Sequence, residues 1–217
     1  DDRQAYLETS AKYHISQKQF KEAQESVNGL IEVATERQDK DCLFEAYCLM
    51  SDTMAINLSF EEAIFWLQKA LALAKNMSNI VLERKAIDLI VGMQFKSGNI
   101  AQAIDALKHT INIEKNSKGI ERQASAYTKI CNVLLGHSKI SELRTVLASF
   151  ADFLDENDSS KHRIDYYMAM IRLAIIDTRL EDAFEYVRKL EDLALSTGNP
   201  PILLKAMQLK GETFYLL

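Results

Sequence analysis

Phe60-Glu-Glu-Ala-Ile-Phe-Trp-Leu-Gln-Lys-Ala70-Leu71 is the stretch that decides the fold. It opens with a large apolar residue and places a small one three positions later. The same opening stands at Phe20-Lys-Glu-Ala23, Ile100-Ala-Gln-Ala103, Ile140-Ser-Glu-Leu143 and Leu180-Glu-Asp-Ala183. The closing positions, Ala23, Ala63, Ala103, Leu143 and Ala183, lie forty residues apart each time, with no insertion. Self-similarity at a fixed period of this size marks stacked supersecondary units.

The pattern extends in both directions from the registered residue. Four residues on stand Val27, Leu67, Leu107, Leu147 and Val187, and eleven on stand Ala34, Ala74, Glu114, Leu154 and Ala194. With Leu30, Ile31, Ala70, Leu71 and Ile111 between them, they draw the stripe of an amphipathic helix. Sixteen residues before the registered position, Leu7, Tyr47, Ile87, Tyr127 and Tyr167 open a second periodic stretch. Each unit is therefore predicted to be two helices of about 15 residues joined by a short turn. Turn signals stand at Ser97-Gly98-Asn99 within the third unit. Between units they stand at Asn76–Asn79, Asn116–Gly119, Asn157–Ser160 and Ser196–Pro200. Pro200 and Pro201 suit the first turn of a new helix, where a missing N–H is harmless. The expected organisation is a single domain over 1–217. Its units run over about 1–40, 41–80, 81–120, 121–160 and 161–200, with a sixth first helix over 201–217.

This pattern resembles the tetratricopeptide repeat (TPR). In that family a helix pair carries a bulky residue early, a small residue midway, and an aromatic-x-x-Ala motif opening the second helix. The resemblance covers the whole chain and implies an all-α, right-handed superhelical solenoid of antiparallel helix pairs. Its concave wall would be made mainly of the first helices. The spacing departs from the family's usual period of about 34 residues, implying longer helices and loops. The small residue of the first helix varies (Ala11, Ser51, Val91, Cys131, Ile171), and Leu143 replaces the registered alanine. Co-chaperone members hold a C-terminal carboxylate with Lys and Asn at the fifteen-before and eleven-before positions. Here those positions carry Glu8 and Lys12, Cys48 and Asp52, then Asp88 and Gly92, so chaperone-tail binding is disfavoured.

Composition agrees with an all-helical chain. The 217 residues include only seven Gly and two Pro, against about 15 and about 11 at average usage. Turn-rich β folds and Gly-looped nucleotide folds are thereby disfavoured. At 47% hydrophobic residues the chain can build a large core, and no apolar run reaches membrane-span length. The net charge of −5 is unevenly spread. Residues 81–140 hold nine basic against five acidic residues, and 141–200 hold seven against twelve. Neither block is extreme, so direct nucleic-acid binding is not expected. The acidic block reads as solvated helix faces or as a face for a basic partner. Cys42, Cys48 and Cys131 read as reduced thiols packing as small hydrophobes, which points to the cytoplasm.

No catalytic or metal constellation rises above background, and no cofactor is expected. His14, His109, His137 and His162 occupy unrelated repeat positions and read as surface or partly packed residues. Glu61-Glu62 and Glu181-Asp182 complement helix N-termini. Asp155-Glu156 and Glu191-Asp192 read as helix ends or outer faces. Trp66 reads as packing rather than as a stacking platform.

The candidate functional residues are those the repeat register turns toward the groove, at eighteen, fifteen, eleven and seven positions before the registered residue. They include Glu45, Cys48, Asp52 and Ile56, then Lys85, Asp88 and Lys96. In the fourth unit they are Ser125, Thr128, Asn132 and Gly136, and in the fifth Asp165, Met168, Arg172 and Ile176. Asn132 beside Arg172 and Lys129 would clamp an extended peptide's backbone or carboxylate. The last helix stays apolar-periodic, with Met207, Phe214 and Tyr215 as a C-terminal interface. This reads either as an unusual cap or as the cut edge of a longer solenoid, with the second favoured. That face would meet another repeat, an effector domain or a second copy in a homodimer.

The expected function is a non-catalytic module that binds a protein or peptide in its groove and scaffolds or regulates a larger protein. The family resemblance also implies an alternative, the sensing domain of a bacterial signalling protein. Pheromone-receptor-type regulators and sensors fused to nucleotide cyclases carry long repeats of this look. An enzyme would need an active site in flanking sequence.

Overall fold

The computed structural model describes residues 2–117, 119–157 and 160–215. Among them the chain forms eleven helices and no strand. They are α1 (Asp2–Ser16), α2 (Phe20–Glu36), α3 (Lys40–Ile56), α4 (Phe60–Asn76), α5 (Ile80–Lys96), α6 (Ile100–Ser117), α7 (Ile120–Gly136), α8 (Ile140–Asn157), α9 (Ser160–Ile176), α10 (Leu180–Ser196) and α11 (Pro200–Tyr215). The even-numbered helices α2, α4, α6, α8 and α10 begin at the large residue of each registered segment. The odd-numbered helices begin seven residues before Tyr47, Ile87, Tyr127 and Tyr167. In α3 the opening residues Lys40 and Asp41 are polar and exposed, so the apolar period begins only after them. Lys118, Asp158 and Ser159, within two of the expected turns, lie outside the described residues.

A three-residue connector repeats between helices. Its middle residue is left-handed at Lys18, Gln38, Leu58, Ser78, Gly98, Ser138, Thr178 and Gly198, with φ from 52° to 77°. The next residue donates its N–H to a carbonyl five positions back, as in Asp39 to Ala34 and Asn79 to Ala74, at 2.9 and 3.0 Å. Together with the bond from the left-handed residue itself, as in Gln38 to Thr35 at 3.1 Å, this is a Schellman closure. The same third residue starts the following helix. Asp39 accepts from the Cys42 N–H, and Asn79 from those of Val81 and Leu82, satisfying donors that the first turn leaves open. Gly98 and Gly198 take the left-handed position without strain, whereas the other six residues carry side chains there.

The chain divides into two compact units, 1–106 and 107–217, with the boundary inside α6. In the first, each of α1 to α4 packs on the helix that follows it, and α1 also touches α3. Its core centres on Phe44, Met50, Leu67, Leu30 and Ala70. In the second, α7 pairs with α8, α9 with α10 and α10 with α11, and α7 also touches α9. Tyr127 stacks on Phe150 at 4.9 Å and 7°, and Ile171, Val187, Leu190 and Leu209 form the C-terminal core. Fully burying each large apolar side chain contributes about 2 kcal/mol.

The registered residues explain the helix pairing. Ala23, Ala63, Ala103, Leu143 and Ala183 are all fully buried, as are Val27, Leu67 and Val187 four positions on. Small side chains there let the two helices of a pair approach closely. Ala11, Ser51, Val91, Cys131 and Ile171, irregular in type, are uniformly buried.

Glu114 departs from its register. Its counterparts Ala34, Ala74, Leu154 and Ala194 are buried apolar residues, and Glu114 is equally buried with its carboxylate 2.9 Å from Arg122 Nε. The three cysteines are free and buried. Burial pushes the Cys48 and Cys131 thiols up to about 12, so they pack and do not ionise. The sequence reads His162 as surface or partly packed and Glu191 as a helix end or outer face, and the structure covers both side chains. His162 is buried. Glu191 accepts Lys210 Nζ at 3.0 Å, joining α10 to α11 across surface that is mostly covered.

Candidate binding groove

Apart from the buried Cys48, the predicted groove residues are exposed or half-buried on odd-numbered helices, and the two compact units present different chemistry there. In the first, Glu45 on α3 and Lys85 on α5, forty residues apart, find each other. Lys85 Nζ donates to both carboxylate oxygens at 2.6 and 2.8 Å. Lys85 also lies 5.6 Å above the Phe44 ring. Asp52 and Lys96 are exposed. The Asp52 carboxyl is held above its ordinary value because surrounding protein displaces water, with Lys96 and Lys85 acting against that rise. Asp88 is exposed, whereas Cys48 is buried in the packing and offers nothing to a ligand. The principal cation of this face is already satisfied by its own carboxylate.

In the second unit, Thr128 Oγ1 donates to Asp165 Oδ2 at 3.1 Å, which ties α7 to α9. One helical turn further along, a groove of about 580 Å³ opens. Asn132, Leu135 and Gly136 line it from α7, Arg172, Ile175 and Ile176 from α9, and Glu212 from α11. The offsets on α7 and α9 are identical, so three positions per helix face one cleft. Leu135, Ile175 and Ile176 make an apolar floor, and Asn132, Arg172 and Glu212 stand on the rim. A Cβ on Gly136 would meet nothing within 4 Å, so this end of the groove is open.

Among the described residues, neither Asn132 nor Arg172 has a hydrogen-bond or ion-pair partner. The Asn132 amide both donates and accepts, which suits a peptide bond. The Arg172 guanidinium is a planar fork of donors that suits a carbonyl or carboxylate. Glu212 accepts from Gln208 Nε2 at 2.9 Å.

The register therefore brings Asn132 and Arg172 together, Glu45 to Lys85, and Thr128 to Asp165. Lys129 is exposed and does not line the groove with Asn132. Met168 is half-buried and packs on the C-terminal core. The register list lacked Leu135, Ile175 and Glu212. The first two share the position eight before the registered residue, and that recurrence was their available signal.

On α11, Leu204, Met207, Phe214 and Tyr215 are exposed, Tyr215 almost entirely at 91%. The Phe214 ring lies 4.6 Å from that of Phe184. Among the described residues, no group of three metal-ligating side chains comes together and no helix is long and apolar enough to cross a membrane.

No protein-family model matches the chain, and no curated protein sequence matches it. Solved structures do. A kinesin light chain from Podosopora anserina with nearly identical TPR-like repeats is 12% identical, with a TM-score of 0.61 over 91% of this chain and 98% of that one. A signal-transduction ATPase from Pyrococcus horikoshii with a tetratricopeptide repeat sensor is 12% identical, with a TM-score of 0.68 over all of this chain. This chain covers 34% of that protein. A Rap protein complexed with competence and sporulation factor is 12% identical, with a TM-score of 0.52 over 99% of this chain and 66% of that one. Helices in repeating pairs, the buried small register and these neighbours agree: the chain has the all-α fold of a TPR-like solenoid.

Proposed function

We propose that the chain is a non-catalytic interaction module that holds an extended protein or peptide segment on its odd-numbered helices and thereby scaffolds or regulates a larger protein. One observation carries this reading: Asn132 and Arg172, uncommitted polar groups, stand over the apolar floor of Leu135, Ile175 and Ile176. Such a floor takes an aliphatic side chain while the rim reads the backbone. Thr128 and Asp165 continue the polar wall along the same two helices. Glu45, Asp52, Lys85, Asp88 and Lys96 form a mixed-charge face, with Lys85 paired to Glu45, that selects partners by charge more than it binds them.

The test is selection of phage-displayed random octapeptides against the full chain. Arg172→Glu and Asn132→Leu should each weaken the selected peptides by about tenfold or more, while Glu45→Gln has little effect. Both groove residues are exposed, so circular dichroism should stay unchanged. Selected peptides that bind both variants at full affinity would sink the reading.

A second reading is favoured by two of the fold neighbours, one with a repeat sensor and one solved with competence and sporulation factor. In it, the bound peptide is a signal and the module is the sensing domain of a bacterial signalling protein. Peptide binding would then change the output of a covalently attached effector domain, which pure scaffolding does not require.

A further inference from the structure

Tyrosine stands sixteen residues before the registered position in three units, at Tyr47, Tyr127 and Tyr167. Two of these rings lie beside an aromatic ring of the second helix that itself carries a lysine ammonium, three and six residues after the registered position. By Tyr47 the pair is Trp66 and Lys69, with ring centroids 5.6 Å apart and Lys69 Nζ 4.2 Å from the Trp66 centroid. By Tyr167 it is Tyr186 and Lys189, with ring centroids 6.1 Å apart and Lys189 Nζ 4.9 Å above Tyr186. An aromatic ring and an ammonium thus occupy this position twice in one chain, in the geometry of a cation–π contact.

The fourth unit lacks this pair. The two positions hold Val146 and Ser149. Beside Tyr127 a cavity of about 610 Å³ opens among α6, α7 and α8. Tyr127 and Phe153 supply its aromatic wall, and Ser149 lines it where the lysine would reach. Tyr127 is held from behind by its stack on Phe150.

The polar side of the cavity is acidic. Asp152 and Glu156, one turn apart on α8, line it together with a single cation, Lys115. Neither carboxylate has an ion-pair partner among the described residues. Their field reaches the ring: burial first, then Asp152 and Glu156, push the Tyr127 phenol above its ordinary value. The corresponding residues are Ala72 and Asn76 in the second unit and Asp192 and Ser196 in the fifth. Among the three tyrosine-bearing units, the one without the lysine is the one that carries both carboxylates.

We infer that this cavity binds a primary alkylammonium group in the place that Lys69 and Lys189 fill in the other two units. The alkyl chain lies against Tyr127 and Phe153, and the ammonium faces Asp152 and Glu156. A free amine and the lysine side chain of a polypeptide share this chemistry. The site lies apart from Asn132 and Arg172, so it stands or falls independently of the peptide groove.

The test is a titration of the full chain with n-butylammonium chloride, followed by nuclear magnetic resonance, with sodium chloride and 1-butanol as controls. Saturable shifts are expected at Tyr127, Ser149 and Phe153 with the amine and not with the alcohol. The double variant Asp152→Asn, Glu156→Gln should weaken binding by about tenfold. Ser149→Lys rebuilds the internal ammonium and should abolish binding while keeping a folded spectrum, since lysine already holds this register elsewhere. A parallel titration with Nα-acetyl-lysine methylamide separates the sources. Binding as tight as butylammonium assigns the site to a polypeptide lysine, and binding of the free amine alone assigns it to a small metabolite. The inference is overturned if neither amine gives saturable shifts at Tyr127, if butanol matches the amine, or if Ser149→Lys binds as well as the parent chain.

Discussion

Arg122 donates through Nε to the buried carboxylate of Glu114 at 2.9 Å, and that pair dictates Gly119 between them. Gly119 sits at an ordinary negative φ, so its freedom is not conformational. A Cβ there would collide with the Glu114 carboxylate.

Gly119→Ala should therefore destabilise the chain by about 2 kcal/mol, by driving the carboxylate from Arg122. The same change made in a Glu114→Ala background should cost clearly less. A double-mutant cycle by urea denaturation measures that coupling. Equal costs in both backgrounds would refute the link.

Thr178 is a β-branched residue held at φ 58°. Relief of that conformation competes with the greater freedom of glycine in the unfolded chain. Thr178→Gly should raise stability by about 1 kcal/mol, read as a higher urea midpoint with an unchanged slope.

Leu143 occupies the position that is alanine in the four other registered units. A consensus argument would make Leu143→Ala stabilising. The side chain is fully buried, so its removal leaves a cavity. The expected cost is about 3 kcal/mol, and thermal unfolding decides the sign.

Asp39 closes α2 and caps α3, accepting from the Cys42 N–H and from Gln4 Nε2, both at 3.0 Å. Those bonds, the Cys42 one foremost, hold its carboxyl below the ordinary 3.8. A depressed folded pKa means stabilisation that is complete above the unfolded value and lost as pH falls through the folded one. Asp39→Asn keeps a capping oxygen but removes the titration. Its urea midpoint should fall less steeply than the parent's as pH falls from about 5 to 2.

The exposed Leu204, Met207, Phe214 and Tyr215 on α11 form an apolar face of the kind that drives association. Concentration-dependent self-association is expected. Sedimentation equilibrium should show it reduced by Leu204→Lys combined with Met207→Lys.

The period of forty and the buried small positions were legible because steric closeness leaves few choices at a helix crossing. Ala23, Ala63, Ala103 and Ala183 display that constraint directly. Helix starts were less legible: Lys40 and Asp41, which open α3, are polar and exposed, and the cap at Asp39 marks the start. The groove was read in half. Asn132 and Arg172 follow from register, but Leu135 and Ile175 resemble ordinary core residues until the cleft between α7 and α9 is seen. Glu114 stands in an otherwise apolar register, and the partner that neutralises it lies on the next helix, out of reach of the stripe's own pattern. Left-handed residues at Lys18, Leu58 and Thr178 carry no residue-type signal at all.

The left-handed connector residues recur at steps of twenty positions wherever they are described, from Lys18 to Gly198. Described junctions forty residues apart thus share one backbone conformation. Excision of residues 40–79 would join Asp39 to Ile80 through the same backbone path that now joins Asn79 to Ile80. A gain or loss of one whole helix pair would therefore keep the described seams in phase.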